Sequence, residues 1–188
     1  ENFLDIADYI TVNISSPNTE GLRDFHDKGK LKDLLLSLNK IKRDKKTNVP
    51  LLLKVSPDIG DIEISEIVDI ATKNDVSAII LTNTTSGNRN NLASDAKREE
   101  GGLSGEPLQQ ISTNMIKKFY KELNGKIPII GVGGVNSGKS AYKKIIAGAS
   151  LLQLYTGFVY RGPSVAKDIK KELIQILKAE GIKNIKDA

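Results

Sequence analysis

The sequence predicts an α/β fold of repeated strand–helix units around a parallel sheet. Five short runs of apolar and β-branched residues recur along the chain, and each precedes a longer segment with helical periodicity. The runs are nearly all apolar rather than alternating, so both faces of every strand are expected to be buried, as in parallel sheets. Polar residues follow the strands and do not precede them. This pattern predicts one shared functional face at the carboxyl ends of the strands.

The strands are predicted at residues 9–14, 51–55, 77–82, 128–132 and 150–154. Apolar residues three and four positions apart predict the helices that follow. They are Leu31, Leu34, Leu35, Leu38 and Ile41; Ile64, Ile67, Val68 and Ala71; Leu108, Ile111, Met115 and Phe119; and Val165, Ile169, Leu173 and Ile176. One more helix is predicted behind the N-cap residue Ser137, with Ala141, Ile145 and Ala149 on its face, and both Pro107 and Pro163 are expected in first helical turns.

Five such units fit two architectures. A closed (β/α)8 barrel needs eight units and about 250 residues, so this chain would supply the last five of them. An open doubly wound sheet could be complete with five. The chain opens at Glu1 without an initiator methionine or a signal-peptide pattern, so we expect it to be part of a longer protein.

Composition excludes several classes of site. With 188 residues, 39% of them hydrophobic, the chain can bury a core as one domain or a large part of one. It has no cysteine, which excludes disulfides, thiolate metal sites and a cysteine nucleophile, and a single histidine, His26, argues against a Ser-His-Asp triad. The net charge of +5 comes mostly from helix lysines without interleaved aromatic residues, so no nucleic-acid partner is expected. No apolar stretch reaches the about 18 residues that span a bilayer.

Residues 13–19, Asn-Ile-Ser-Ser-Pro-Asn-Thr, end the first predicted strand. Pro17 fixes its own φ and favours an extended Ser16, so the loop presents a fixed set of neutral donors and acceptors. Such a set suits a flat, amide-rich ligand better than a metal or a bare phosphate, although an ordinary turn is the alternative. Similar polar groups follow the other strands, at residues 54–57, 82–85, 133–134 and 155–157.

Residues 133–140, Gly-Gly-Val-Asn-Ser-Gly-Lys-Ser, satisfy the P-loop pattern of nucleotide phosphotransferases. Three features argue against that interpretation: no acidic residue ends a strand to hold magnesium, only one strand follows, and Ser137 would begin the helix before Gly138. A different anion site survives, in which the two glycines allow close backbone approach and the following helix points unpaired N–H groups at the anion. A tight turn without a ligand is the alternative.

A long connection, residues 84–106, follows the third predicted strand and ends in Gly-Gly-Leu-Ser-Gly-Glu. Connections longer than about 15 residues are usually functional or mobile. The glycines would let backbone lie flat against a ring system, and a plain mobile loop is the alternative.

Six motifs occur in a specific order: VNISSPNTEGLR at 12–23, LKVSPD at 53–58, TNTT at 82–85, GGLSGEPL at 101–108, IIGVGGV at 129–135 and QLYTG at 153–157. With these motifs the chain resembles, from about Ala7 to Glu172, the dihydroorotate dehydrogenase family, and in particular its class 2, quinone-reducing form. Class 1 members carry a catalytic cysteine where this chain has Ser16.

The resemblance implies a (β/α)8 TIM barrel that binds FMN. Residues 1–188 would form the carboxyl-terminal part of this single domain, with the amino-terminal strands and the quinone and membrane segment absent from the chain. The implied reaction is oxidation of dihydroorotate to orotate in pyrimidine biosynthesis, with FMN as hydride acceptor and a membrane quinone as final acceptor. The implied location is peripheral on a membrane, at the cytoplasmic face of a bacterial inner membrane or, alternatively, at the mitochondrial inner membrane.

The resemblance also implies residue roles. Ser16 would remove the C5 proton while hydride leaves C6, and because a lone hydroxyl is a poor base, a proton-accepting chain through water or Thr19 is expected. The implied substrate-binding residues are Asn13, Asn18, Asn83 and Thr84. The implied flavin-binding residues are Asn13, Lys54, Thr82, Gly105, Gly133, Gly134, Tyr155 and Thr156. No metal is expected, and the polar stretch 86–91 has no assigned role. A P-loop phosphotransferase and a non-catalytic module that binds a phosphate ligand are the alternative functions.

Overall fold

The structure, a computed structural model, describes residues 2–19, 21–87 and 89–188. Asn88, within the polar stretch 86–91, therefore lies outside the described residues, as do Glu1 and Glu20. Five strands form one parallel sheet in the described part of the chain: β1 (Ile10–Asn13), β2 (Leu51–Val55), β3 (Ala78–Leu81), β4 (Ile129–Val132) and β5 (Leu151–Gln153). The five predicted strands are confirmed, with ends that differ by at most one residue.

The strands lie in the order in which they occur in the sequence, β1-β2-β3-β4-β5. A doubly wound sheet reverses its strand order at a switch point, whereas a barrel adds each new strand beside the last. The sheet therefore consists of consecutive units of a TIM barrel, and the open doubly wound alternative is wrong.

Among the described residues, six helices accompany the strands: α1 (Lys28–Asp44), α2 (Asp61–Lys73), α3 (Gln109–Leu123), α4 (Gly138–Ile145), α5 (Thr156–Arg161) and α6 (Val165–Ala179). Short 3-10 turns occur at Leu22–His26, Asp95–Arg98, Glu106–Leu108 and Ile185–Asp187. Helix α5 was not predicted. It has six residues, too few for an apolar period to show.

Capping residues explain where the helices begin. Asp27 Oδ1 accepts from the backbone N–H groups of Gly29 and Lys30, both at 3.0 Å, at the start of α1. Ser137 caps α4 as predicted, and its Oγ accepts from the Ser140 N–H at 3.2 Å. Helix α4 ends at Ile145, so the prediction that Ala149 belongs to it is wrong. Pro107 lies in the 3-10 turn that leads into α3, as expected, whereas Pro163 precedes the N-cap of α6 and stands outside its first turn.

The core lies between the sheet and its helices. Leu53, Val55, Ile79, Leu81 and Ile129 face this side and pack with residues from the first three helices, while Leu52, Ala78, Ile80 and Ile130 form a smaller cluster on the other face. The central strands are buried on both faces as predicted. The two strands at the ends of the described sheet, β1 and β5, are less buried, and Leu151 of β5 is 63% exposed. Among the described residues, no helix combines the length and apolar character needed to cross a membrane.

Candidate functional site

The carboxyl ends of β1, β2 and β3 bring three polar segments together. In the strand register Asn13 lies beside Lys54, and Lys54 lies beside Ile80. Because all the strands are parallel, the residues that follow them emerge at one edge of the sheet.

Ser15, which was not predicted as a site residue, forms hydrogen bonds with both Asn13 and Asn83. Ser15 is fully buried, and its Oγ donates to Asn13 Oδ1 at 2.8 Å and accepts from Asn83 Nδ2 at 3.0 Å. Asn83 Nδ2 also donates to Asn13 Oδ1 at 3.3 Å, and Asn83 Oδ1 accepts from the Thr84 N–H at 2.8 Å. The Asn13 amide nitrogen has no partner among the described residues. This cluster therefore holds Asn13 in one orientation with two hydrogen-bond donors free.

Ser16 lies in the same loop and is half-buried. Its Oγ accepts from the Thr19 hydroxyl at 3.2 Å and from the Asn18 N–H at 3.3 Å. The expected contact between Ser16 and Thr19 is therefore present. The side chain of Asn18 faces the long connection, since its Oδ1 lies 3.7 Å from the position of a Cβ on Gly101.

Asp58 ties the loops after β1, β2 and β3 to one another, which was not predicted from the sequence. Its Oδ2 accepts from Arg23 Nη2 at 3.0 Å and from Ser86, through the N–H at 2.9 Å and Oγ at 3.1 Å. Its Oδ1 accepts from the Thr85 hydroxyl, and Arg23 Nη1 donates to Ser86 Oγ at 3.0 Å. Burial alone would raise the pKa of Asp58, but the hydrogen bonds from Thr85 and Ser86 and the Arg23 charge outweigh it and lower that pKa.

A cavity of about 290 Å³ lies beside these loops. Of the residues predicted to bind flavin, those that line it are Lys54, Thr82, Gly105, Gly133, Gly134, Tyr155 and Thr156. Asn83 and Thr84 line it as well, whereas Asn13, Ser16 and Asn18 are not part of its wall. Lys54 is half-buried, burial lowers the pKa of its ammonium group, and that group has no partner among the described residues.

Ser104, Gly105, Gly134 and Thr156 also line this cavity. Thr156 Oγ1 donates to Ser104 Oγ at 2.9 Å, which joins the end of β5 to the long connection. Gly134 has a φ of 70°, and a Cβ there would lie 2.6 Å from Gln109 Cβ and 2.9 Å from Gln109 N. Only glycine fits at this position. A second cavity, of about 620 Å³, shares Gly105, Gly134 and Thr156 with the first.

At the start of α4, where the anion site is predicted, three backbone N–H groups already have partners within the chain. The N–H of Gly138 donates to the Glu172 carboxylate, and the N–H groups of Asn136 and Ser137 both donate to Ser140 Oγ at 2.9 Å. Lys139 is exposed and lines neither cavity. The P-loop hypothesis gains no support from this geometry, because a P-loop needs these groups for phosphates.

Comparison with known proteins decides the family. The family model described as dihydroorotate dehydrogenase matches residues 1–177. The chain belongs to the dihydroorotate dehydrogenase family. A quinone-type dihydroorotate dehydrogenase of Christiangramia forsetii is 45% identical over 175 residues, which cover 93% of this chain and 51% of that protein. A mitochondrial one of Arabidopsis thaliana is 42% identical over 192 residues, which cover 100% of this chain and 42% of that protein.

Solved structures of dihydroorotate dehydrogenases share the fold. The enzyme of Eimeria tenella in complex with ferulenol superposes with a TM-score of 0.91 at 37% identity, and the match covers 98% of this chain and 54% of that one. The chain spans about half the length of the curated relatives that it matches. The agreement confirms that the five units are part of a TIM barrel of this family.

Proposed function

We propose that the natural protein containing this chain oxidises dihydroorotate to orotate in pyrimidine biosynthesis, with FMN as hydride acceptor and a quinone as final electron acceptor. The observation that carries the proposal is the 290 Å³ cavity, whose wall includes Lys54 and the Gly133–Gly134 turn and whose rim adjoins the Asn13–Ser15–Asn83 cluster. Family membership and relatives named dihydroorotate dehydrogenase (quinone) support it.

The residues present fit FMN. Dihydroorotate dehydrogenases are flavin-dependent, and bound flavin supplies the hydride acceptor. Lys54 provides a half-buried cation without a protein partner, suited to the negative charge that appears on a reduced flavin ring. Gly134 and Gly105 bring backbone close to the cavity without side chains, and Thr156 supplies a hydroxyl at its other side, which suits a phosphate.

The asparagines suit the pyrimidine. Its edge alternates C=O and N–H groups, and carboxamides present both donors and acceptors. Asn13 has two free amide hydrogens, and the Asn18 side chain has no hydrogen-bond partner among the described residues. We assign substrate contacts to both, together with Asn83 and Thr84, which hold one another in place through the Asn83 Oδ1 bond to the Thr84 N–H at 2.8 Å.

Ser16 is proposed as the base. It would accept the C5 proton of dihydroorotate as the C6 hydride departs and the C5–C6 double bond forms. Thr19 donates to Ser16 Oγ at 3.2 Å, so the proton that the Ser16 hydroxyl must give up is proposed to leave through water, or through Thr19 once its hydroxyl rotates to accept. The Asp58 cluster supports this role indirectly, because it anchors Arg23 at the end of the same loop.

The parts of the proposed enzyme that residues 1–188 do not supply are proposed to lie elsewhere in the natural protein. Three further barrel units and a segment that contacts quinone and membrane would complete a single FMN-binding domain, in line with the half-length match to the relatives. Because those relatives include bacterial and mitochondrial proteins, the proposed location is the cytoplasmic face of a bacterial inner membrane or the mitochondrial inner membrane.

The test uses the full-length natural protein. We expect flavin absorbance in the purified protein, release of FMN on denaturation, and dihydroorotate-dependent reduction of a soluble quinone. A preparation without flavin, or one whose flavin is not bleached by dihydroorotate under anaerobic conditions, would refute the proposal.

A further inference from the structure

Helix α4 carries a lysine that the proposed reaction does not use. Lys144 is fully buried, with 0% of its surface exposed. Its Nζ donates to Ser112 Oγ at 2.9 Å, to Thr113 Oγ1 at 3.3 Å and to the Gln109 carbonyl oxygen at 3.4 Å, all on α3. No carboxylate among the described residues pairs with it. A buried charge without a counter-charge is costly, so its presence in a helix interface calls for an explanation.

The surroundings of Lys144 require an ammonium group with three hydrogens. Ser112 Oγ gives its own hydrogen to the Val132 carbonyl, and Thr113 Oγ1 gives its hydrogen to the Gln109 carbonyl at 2.8 Å. Both hydroxyls must therefore accept from Lys144, and a carbonyl can only accept. Burial lowers the pKa of Lys144 to about 8, which leaves the group mostly protonated at neutral pH.

The partners of Lys144 also form the support of the Gly133–Gly134 turn. Ser112 Oγ binds the carbonyl of Val132, the residue before the turn. A Cβ on Gly133 would lie 3.1 Å from Ser112 Cβ, and a Cβ on Gly134 would lie 2.6 Å from Gln109 Cβ. The cation is therefore joined to this turn through Ser112 and Gln109.

We propose that Lys144 is the buried counter-charge of the phosphate end of the flavin site, and that it positions the Gly133–Gly134 turn through Ser112 and Gln109. This inference rests on the proposed FMN function. A phosphate dianion that leaves water needs a positive charge nearby, and attraction inside a protein acts across several ångströms because the medium screens it weakly. Lys139, the lysine of the P-loop pattern, is exposed and has no such path to the turn.

The experiment compares FMN with riboflavin, which lacks the phosphate. In the full-length natural protein, Lys144→Met removes the charge and keeps the volume, and Lys143→Met is the matched control because Lys143 is the exposed neighbour. After removal of the flavin, both ligands are titrated by fluorescence quenching. Lys144→Met should bind FMN at least about tenfold more weakly while its riboflavin affinity is unchanged, because only FMN carries the charge that Lys144 attracts. Lys143→Met should match the wild type for both.

A merely structural role for Lys144 gives a different result. Equal losses for FMN and riboflavin, or an unchanged FMN affinity, would overturn the inference. Lys144→Gln keeps hydrogen-bond donors without the charge, so it decides the question if the methionine variant fails to fold. Wild-type protein that binds neither flavin would overturn the proposed function together with this inference. Wild-type preference for FMN that persists in both Lys144 variants would overturn this inference alone.

Discussion

Gly102→Ala should disturb the substrate site while the flavin site stays intact. Gly102 belongs to the long connection and packs against residues of two other loops. A Cβ at this position would lie 1.9 Å from Thr84 Oγ1, 2.6 Å from Thr84 Cβ and 3.0 Å from Pro17 Cγ. Gly102 is not among the glycines with positive φ, so its backbone accepts alanine and the whole effect comes from the contact.

The size of the effect follows from these distances. Ordinary contact begins at 3.4 Å, so Thr84 or the connection must move by about 1.5 Å. Overpacking of this kind costs about 1–3 kcal/mol. A displacement of about 1 Å in a positioning residue can cost roughly a hundredfold in rate. We therefore expect kcat/KM for dihydroorotate to fall by about 10- to 100-fold, with flavin content near that of the wild type.

The assay is anaerobic flavin reduction by dihydroorotate in the full-length protein, with flavin content and thermal unfolding measured on the same samples. Gly29→Ala is the control, because Gly29 is exposed in α1 and a Cβ there would meet only the end of the Asp27 side chain at 3.3 Å. If Gly102→Ala reduces its flavin at the wild-type rate, then the contact of the connection with Thr84 and Pro17 does not position substrate, and the reasoning fails.

Four further predictions concern single side chains. Ser16→Ala should retain FMN and orotate but slow flavin reduction in stopped-flow by about a hundredfold or more, the scale of losing a general base; near-normal reduction would remove Ser16 from the mechanism. Lys54→Met should lower the flavin reduction potential in spectroelectrochemical titration. It should not lower the apoprotein Tm, because burial lowers the pKa of Lys54 and its charge therefore destabilises the folded state below that pKa. An unchanged potential with weak orotate binding would reassign Lys54 to the substrate. Asp58→Asn should reduce the free energy of unfolding at neutral pH. The pKa of Asp58 in the folded protein lies below its unfolded value of about 3.9, so in urea titrations only the wild type should lose this contribution as the pH falls through the folded pKa. Parallel pH profiles for the two proteins would contradict the prediction. Lys139→Ala should keep its FMN, and a variant stripped of cofactor would restore the P-loop hypothesis.

The strands and their parallel pairing could be predicted because strands buried on both faces are mostly apolar, and β2, β3 and β4 are apolar except for Lys54. β1 and β5 are less buried than the apolar runs predict, because they lie at the two ends of the sheet that this chain contains. Helix α5 was missed because six residues give less than two helical turns, too few for a periodic pattern.

In and around the candidate site, the type of a residue did not reveal whether its side chain is buried or exposed. Lys143 and Lys144 are adjacent residues of the same type, yet Lys143 is exposed and Lys144 is fully buried, because successive residues point to different sides of a helix. From the sequence, glycine at position 134 is expected because a phosphate approaches the backbone there. In the structure, Gln109 already occupies the space that a side chain at position 134 would need. A Gly134→Val variant would strike α3 with or without an anion, so its loss of cofactor would not identify the site.

The carboxylate of Glu172 at the start of α4 has a consequence for specificity. Glu172 accepts from Gly138 and is itself held by Arg161, whose Nη2 lies 3.5 Å from Glu172 Oε1. A carboxylate of the same chain thus occupies the Gly138 N–H, a backbone group that binds nucleotide phosphate in proteins with the same local pattern. This contact comes from a residue that stands 34 positions away in the sequence. A short sequence motif can therefore match in every residue while a side chain that is distant in the sequence occupies a backbone group needed for the ligand.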